Sequence, residues 1–161
     1  MMTWQEQIYK LAGIALAMVL GGLIGIEREI SHKPAGFRTH MVVAGTSALL
    51  MILGKAVIVQ YSSTDNLELQ ADPIRLIQAI IIGISFICAG TIIRSRNNKG
   101  IEGLTTASTI LLSSCIGITV ALRQTVLAIG MTGLSILVLT VLRKIEVWVK
   151  KVGGEKDQTN S

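Results

Sequence analysis

Five long apolar runs constrain this chain more than any other feature. They cover Ile8–Ile26, Thr39–Gln60, Ile74–Ile93, Leu104–Leu122 and Thr125–Leu142. A helix needs roughly 20 apolar residues to cross the hydrocarbon core of a bilayer, and each run reaches or nearly reaches that length. Half of the residues are hydrophobic and 16% are charged, against about 25% charged in a soluble domain. The expected fold is all-α: a polytopic membrane helix bundle of five transmembrane helices. Residues 1–152 form one transmembrane domain and 153–161 a disordered polar tail. The first run is read as a retained helix, because it is too long for a signal peptide and has neither a basic leader nor a small-residue cleavage site. Only Arg123-Gln124 separates the last two runs, so an abrupt turn is required there.

The cations fix an orientation. Eleven of the fifteen Lys and Arg fall after the first, third and fifth runs. Lys10, Lys55, Arg75 and Arg123 lie on or near the other side, with the acidic Asp65, Glu68 and Asp72. Positive charge gathers on cytoplasmic loops, which puts the N-terminus outside and the C-terminus in the cytoplasm. Trp4, Tyr9 and Tyr61 suit the outer interface and Trp148 the inner one. The net charge of +5 is thus a topology signal, and nucleic acid is not expected as a partner. Cys88 and Cys115 sit inside apolar runs without CxxC spacing, so neither a disulfide nor a thiolate metal site is expected.

Between the first two runs, Gly21 to Met41, the sequence GGLIGIEREISHKPAGFRTHM concentrates Glu27, Arg28, Glu29, His32, Lys33, Arg38 and His40 around Pro34-Ala-Gly36. Topology alone needs only a few of these. A similar passage joins the third and fourth runs: each leaves through a glycine (Gly25, Gly90) and enters the next helix through Gly-apolar-x-Thr, at Gly36–Thr39 and Gly103–Thr106. Helix N-termini carry unpaired N–H groups and a positive dipole end. Two of them flanked by Arg38 and Arg94 favour an anion or a carboxylate. Thr39, Thr105 and Thr106 are candidate caps, and Glu27, Glu29 and Glu102 candidate internal partners. Glu27 is expected to pair with Arg38. His32 and His40 read most simply as solvated loop histidines, with metal binding or pH sensing as the other reading; no metal is assigned. Small residues at four-residue spacing let membrane helices approach closely. They occur at Gly21, Gly22 and Gly25, at Ala79, Gly83, Ala89 and Gly90, and at Ser113 and Gly117. Packing within one chain is favoured over a subunit seam, and a homo-oligomer stays open.

The segments GGLIGIERE, PAGFRTHM, GISFICAGTIIR and GLTTAST, in this order and spacing, resemble the MgtC/SapB family of bacterial membrane proteins across roughly Leu11 to Leu122. The resemblance implies a multi-pass protein of the inner (plasma) membrane, linked to magnesium homeostasis and growth at low magnesium and, in pathogens, to virulence. It also implies regulation through contact with another membrane complex such as ATP synthase. Larger members carry a soluble C-terminal domain, which is expected to be missing here. Ser85 and Cys88 stand where the family usually has glycine, and Glu102 where it usually has a basic residue. The functional cluster is therefore expected among Glu27, Arg28, Pro34, Gly36, Arg38, Thr39, His40, Arg94, Glu102, Gly103, Thr105 and Thr106. No nucleophile–base pair or phosphate-binding loop occurs, so neither an enzyme nor a cofactor is expected. Two classes remain: a regulator working by contact, and a transporter or channel for Mg2+ or another small ion. Ionisable residues are few mid-membrane, which favours the regulator. A route lined by Ser85, Thr91, Thr109, Ser113 and Ser114 belongs to the second reading.

Overall fold

A computed structural model of the protein describes residues 3–62, 72–93 and 103–157, with side chains described for 3–60, 72–92 and 103–145. Five helices follow one another: α1 (Trp4–Ile30), α2 (Phe37–Ser62), α3 (Pro73–Ile93), α4 (Leu104–Ala121) and α5 (Thr125–Asp157). All five are long and apolar enough to cross a membrane. Arg94, Glu102, Asp65 and Glu68, and the side chains of Tyr61 and Trp148, lie outside the described residues.

The helix ends depart from the apolar runs for identifiable reasons. Thr3 and Glu6 form a capping box: the Thr3 hydroxyl accepts from Glu6 N at 3.4 Å, and the Glu6 carboxylate accepts from Thr3 N at 3.2 Å. Capping satisfies otherwise orphaned N–H groups, so α1 begins four residues before its apolar run. At α3, Asp72 Oδ1 accepts from Ile74 N at 2.8 Å and Pro73 takes the first helical position, as its fixed φ favours. The helix α5 continues to Asp157, so 153–157, expected to be part of a disordered tail, are helical.

Two tight turns share one design. After α1, His32 N donates to Glu29 O and Lys33 N to Arg28 O, both at 3.0 Å. After α4, Arg123 N donates to Val120 O at 2.9 Å and Gln124 N to Thr119 O at 3.1 Å. These are Schellman closures. His32 (φ 53) and Arg123 (φ 63) hold the left-handed position that glycine usually takes. The second closure supplies the abrupt turn that Arg123-Gln124 requires. Arg123 also lies 5.1 Å from the Tyr9 ring centroid, which joins the start of α1 to the α4–α5 turn at one end of the bundle.

The core is built on α1, α2 and α4. On α1 the buried stripe is Ala17, Gly21, Ile24 and Arg28, at the three-to-four-residue repeat of a helix face. A β-carbon on Gly21 would lie 2.5 Å from the His40 carbonyl oxygen, and one on Gly25 2.6 Å from Phe37 Cα. Gly22 is filled in the same way by the Phe37 ring and Met41. Gly117 of α4 seats against the Ala44 carbonyl of α2, and Ser47 and Ser114 share a hydrogen bond at 2.8 Å. Of the α4 span 56% is buried, against 11% for the α3 and α5 spans, so α4 is the central helix. The thiol of Cys88 donates to Ala107 O at 3.3 Å and ties α3 to it.

The small residues of α3 are placed differently. Ala79 and Ala89 are exposed, and Gly83 and Gly90 have open space where a side chain would be, as do Gly130 and Gly133 on α5. Of the small-residue positions expected to pack, Gly21, Gly22, Gly25, Ser113 and Gly117 do so within the chain. Among the described residues, nothing covers the outer faces of α3 and α5.

Candidate functional site

Consecutive residues on a helix point about 100° apart. At the end of α1 this sends Glu27, Arg28 and Glu29 to three different neighbours. Arg28 turns inward, is 3% exposed, and donates through Nη2 to Thr106 Oγ1 of α4 at 2.9 Å. Glu29 crosses the turn, and its Oε2 accepts from Phe37 N, at the start of α2, at 2.9 Å. Glu27 faces α5: Ser31 Oγ donates to its Oε1 at 2.7 Å, and Arg143 Nη1 donates to Ser31 Oγ at 2.8 Å. The dense charges between the first two runs thus tie one end of α1 to α4, α2 and α5.

Several expectations are corrected here. Glu27 does not pair with Arg38: its Oε1 takes the Ser31 hydroxyl and its Oε2 is buried without a hydrogen bond, while Arg38 is exposed. His40 is not a loop residue. It sits in the first turn of α2 at 0% exposure, and Nδ1 donates to Gly36 O at 2.8 Å. The carbonyl can only accept, so Nδ1 carries a proton, and Nε2 is buried without a hydrogen-bond partner among the described residues. Thr39 is exposed in the first turn of α2 and forms no cap in the structure; Glu29 supplies the carboxylate that the α2 N-terminus attracts. Thr105 and Thr106 lie inside α4, whose N-cap is Gly103 at φ 93 with no side-chain cap. Thr105 is exposed and Thr106 buried.

Pro34, Gly36, Arg38 and Thr39 border a shallow concavity of about 490 Å3 with Glu29, His32 and Lys33. A β-carbon on Gly36 would lie 2.7 Å from Glu29 Oε2, so the absence of a side chain there lets the carboxylate reach α2. Replacing Glu29 by Ala is expected to destabilise the protein by about 1 kcal/mol, the usual value of a lost cap. Glu29→Gln, which keeps an acceptor oxygen, should remain close to wild type. Thermal unfolding of both variants in detergent measures the difference.

Most of the hydroxyls read as lining a route are bonded to carbonyls of their own helices. Ser85 is exposed and bonds to Ile81 O, Thr91 to Cys88 O, Thr109 to Thr106 O and Ser113 to Thr109 O. Ser114 is used by Ser47. Among the described residues no three of His, Cys, Asp or Glu gather as a metal site. Two arrangements that the sequence could have revealed are the Arg28–Thr106 contact and the inward-facing His40. Both were marked by position: Arg28 follows Ala17, Gly21 and Ile24 on one face, and His40 precedes Val43, Ala44 and Ser47 on another.

Comparison with known proteins places this arrangement. The model of the MgtC family matches residues 14–148. The chain is 36% identical over 132 residues to the putative magnesium transporter YhiD of Escherichia coli K12, covering 82% of this chain and 60% of that one. It is 34% identical over 118 residues to protein SapB of Bacillus subtilis, covering 73% and 50%. It is 36% identical over 117 residues to protein MgtC of Brucella abortus, covering 73% and 44%. The chain therefore spans about half the length of these relatives. No solved structure matches it. The family match runs from α1 into α5, across the glycine contacts and the Arg28–Thr106 bond, and this multi-pass membrane protein belongs to the MgtC family.

Proposed function

We propose that this chain serves magnesium homeostasis and adaptation to low magnesium in the bacterial inner membrane, as a non-enzymatic regulator that contacts another membrane complex such as ATP synthase. The link to magnesium rests on the family and on the relative named a putative magnesium transporter. The proposed orientation, N-terminus outside and C-terminus cytoplasmic, puts the Arg28, His40 and Thr106 end on the cytoplasmic side. The observation that carries the regulator is the buried guanidinium of Arg28 between α1 and α4. A fixed positive charge there opposes a bare divalent cation crossing the α1–α2–α4 core, because charge repulsion strengthens as water is excluded. The open faces of Gly83 and Gly90 on α3 and of Gly130 and Gly133 on α5 suit lateral contact with another helical protein.

The second reading, a transporter, is favoured by the name of the same relative. Magnesium flux into liposomes holding the full chain separates the two, with Arg38→Ala alongside. The expected result is no saturable flux from folded, inserted protein, together with cross-links from a photoreactive residue at position 83 into one discrete membrane complex. Saturable flux abolished by Arg38→Ala would overturn the regulator.

A further inference from the structure

We propose that the groove between α1 and α5 seats one anionic phospholipid, with its phosphodiester on Arg143 and Lys144 and an acyl chain on the apolar lining beneath them. The groove holds about 380 Å3, and its apolar walls include Leu23, Ile26 and Ile30 of α1 and Ile136 of α5. A void lined by such side chains forfeits dispersion contacts unless hydrocarbon fills it.

The charge at one end identifies the occupant. Arg143 and Lys144 stand at the close of the α5 span, which ends at Ile145. That is headgroup depth, where basic pockets between membrane helices take acidic lipid headgroups. Arg143 is held in place by its bond to Ser31 Oγ, and the remaining donors of its fork are left for a phosphate. Glu27 also borders the groove, but Ser31 binds its Oε1 and its Oε2 is shielded. That carboxylate also interacts with the neighbouring Arg28 guanidinium, so Arg143 and Lys144 are the cations the groove presents.

The length of the groove suits part of an acyl chain. Leu23 to Ile30 and Ile136 to Arg143 each advance two helical turns, roughly 10 Å. One leaflet of hydrocarbon is about 15 Å thick, so the groove fits the upper part of an acyl chain. The paired cations at headgroup depth, rather than the groove's length, favour a lipid over a second protein helix.

Native mass spectrometry of the full chain released from micelles tests this, with phosphatidylglycerol and phosphatidylcholine of identical chains as probes. The expected result is one phosphatidylglycerol retained per chain with at least a fivefold preference. The Arg143→Gln/Lys144→Gln variant should abolish that preference, whereas Arg143→Lys should keep it. Ile136→Trp, which fills the groove and leaves both cations, should lose retention by a similar factor. Lys55→Gln, on an exposed residue toward the other end of α2, should behave as wild type, and unchanged thermal midpoints report folding. Equal retention of the two lipids, or wild-type retention by the double variant, overturns the proposal. So does competition by the deacylated headgroup as effective as by intact lipid, which would mean a phosphate site without a chain seat. A lipid-free dimer in place of the lipid-bound monomer would assign the groove to a second copy and overturn it too.

Discussion

Gly117→Ala should destabilise the protein by about 3 kcal/mol, while the same change at Gly130 should be neutral or slightly stabilising. The added methyl group is identical; its surroundings are not. At Gly117 it meets the Ala44 carbonyl of α2, backbone that cannot rotate aside, so α2 and α4 must separate. Overpacking of this kind typically costs about 1–3 kcal/mol, and more when backbone has to move. The separation would also stretch the Ser47–Ser114 hydrogen bond, three residues away on α4. At Gly130 nothing lies within 4 Å of the added atom, and alanine gains up to about 1 kcal/mol of helix propensity. Thermal unfolding of both variants in one detergent gives the signs directly. A Gly117→Ala protein as stable as wild type would mean that the close approach of α2 and α4 is not what holds the core.

Thr106→Val should cost about 2 kcal/mol, and more than Arg28→Met. The valine removes the acceptor of a buried guanidinium whose Nε is already without a partner, and hydrogen bonds to charged groups are worth roughly 1.5–3 kcal/mol. Methionine removes the charge together with its need for partners, and replacing buried ions by apolar residues is often tolerated. In the double variant the loss of Thr106 should add little, giving a coupling energy of roughly 1–2 kcal/mol in a double-mutant cycle. Unfolding in detergent measures all four proteins. Growth at low magnesium separates structure from function: an Arg28→Met protein that folds well but fails to support growth marks the cation as functional. Full support would leave it as a fastener between α1 and α4.

The five helices were legible because the length of an apolar run reports the thickness it must cross. Their ends were less so, since a hydrogen-bond ladder continues past the lipid wherever a cap allows. The T-x-x-E signature at Thr3 is in the sequence but lies outside the apolar run that marks the helix. The charged cluster was legible as a site of interest and not as a set of pairs. Proximity across one turn suggests a Glu27–Arg38 pair that the helix repeat does not support. Counting at the helix repeat would have put Arg28 on the face of Gly21 and Ile24, and His40 on the face of Ala44 and Ser47. The reach of Glu29 to Phe37 could not be counted in this way. It depends on His32 adopting a left-handed conformation that few sequences would announce.

The central position of α4 bears on how the molecule is assembled. Its span is the least apolar of the five, and Thr106, Thr109, Ser113 and Ser114 are all buried in it. A segment like this gains less from lipid than its neighbours do, and more from a protein surface already waiting. Synthesis from the N-terminus delivers α1 and α2 first, locked by Gly21, Gly22 and Gly25. That hairpin presents the Ala44 carbonyl, the Ser47 hydroxyl and the Arg28 guanidinium as a docking slot. The early helices thus act as an internal chaperone for the later one.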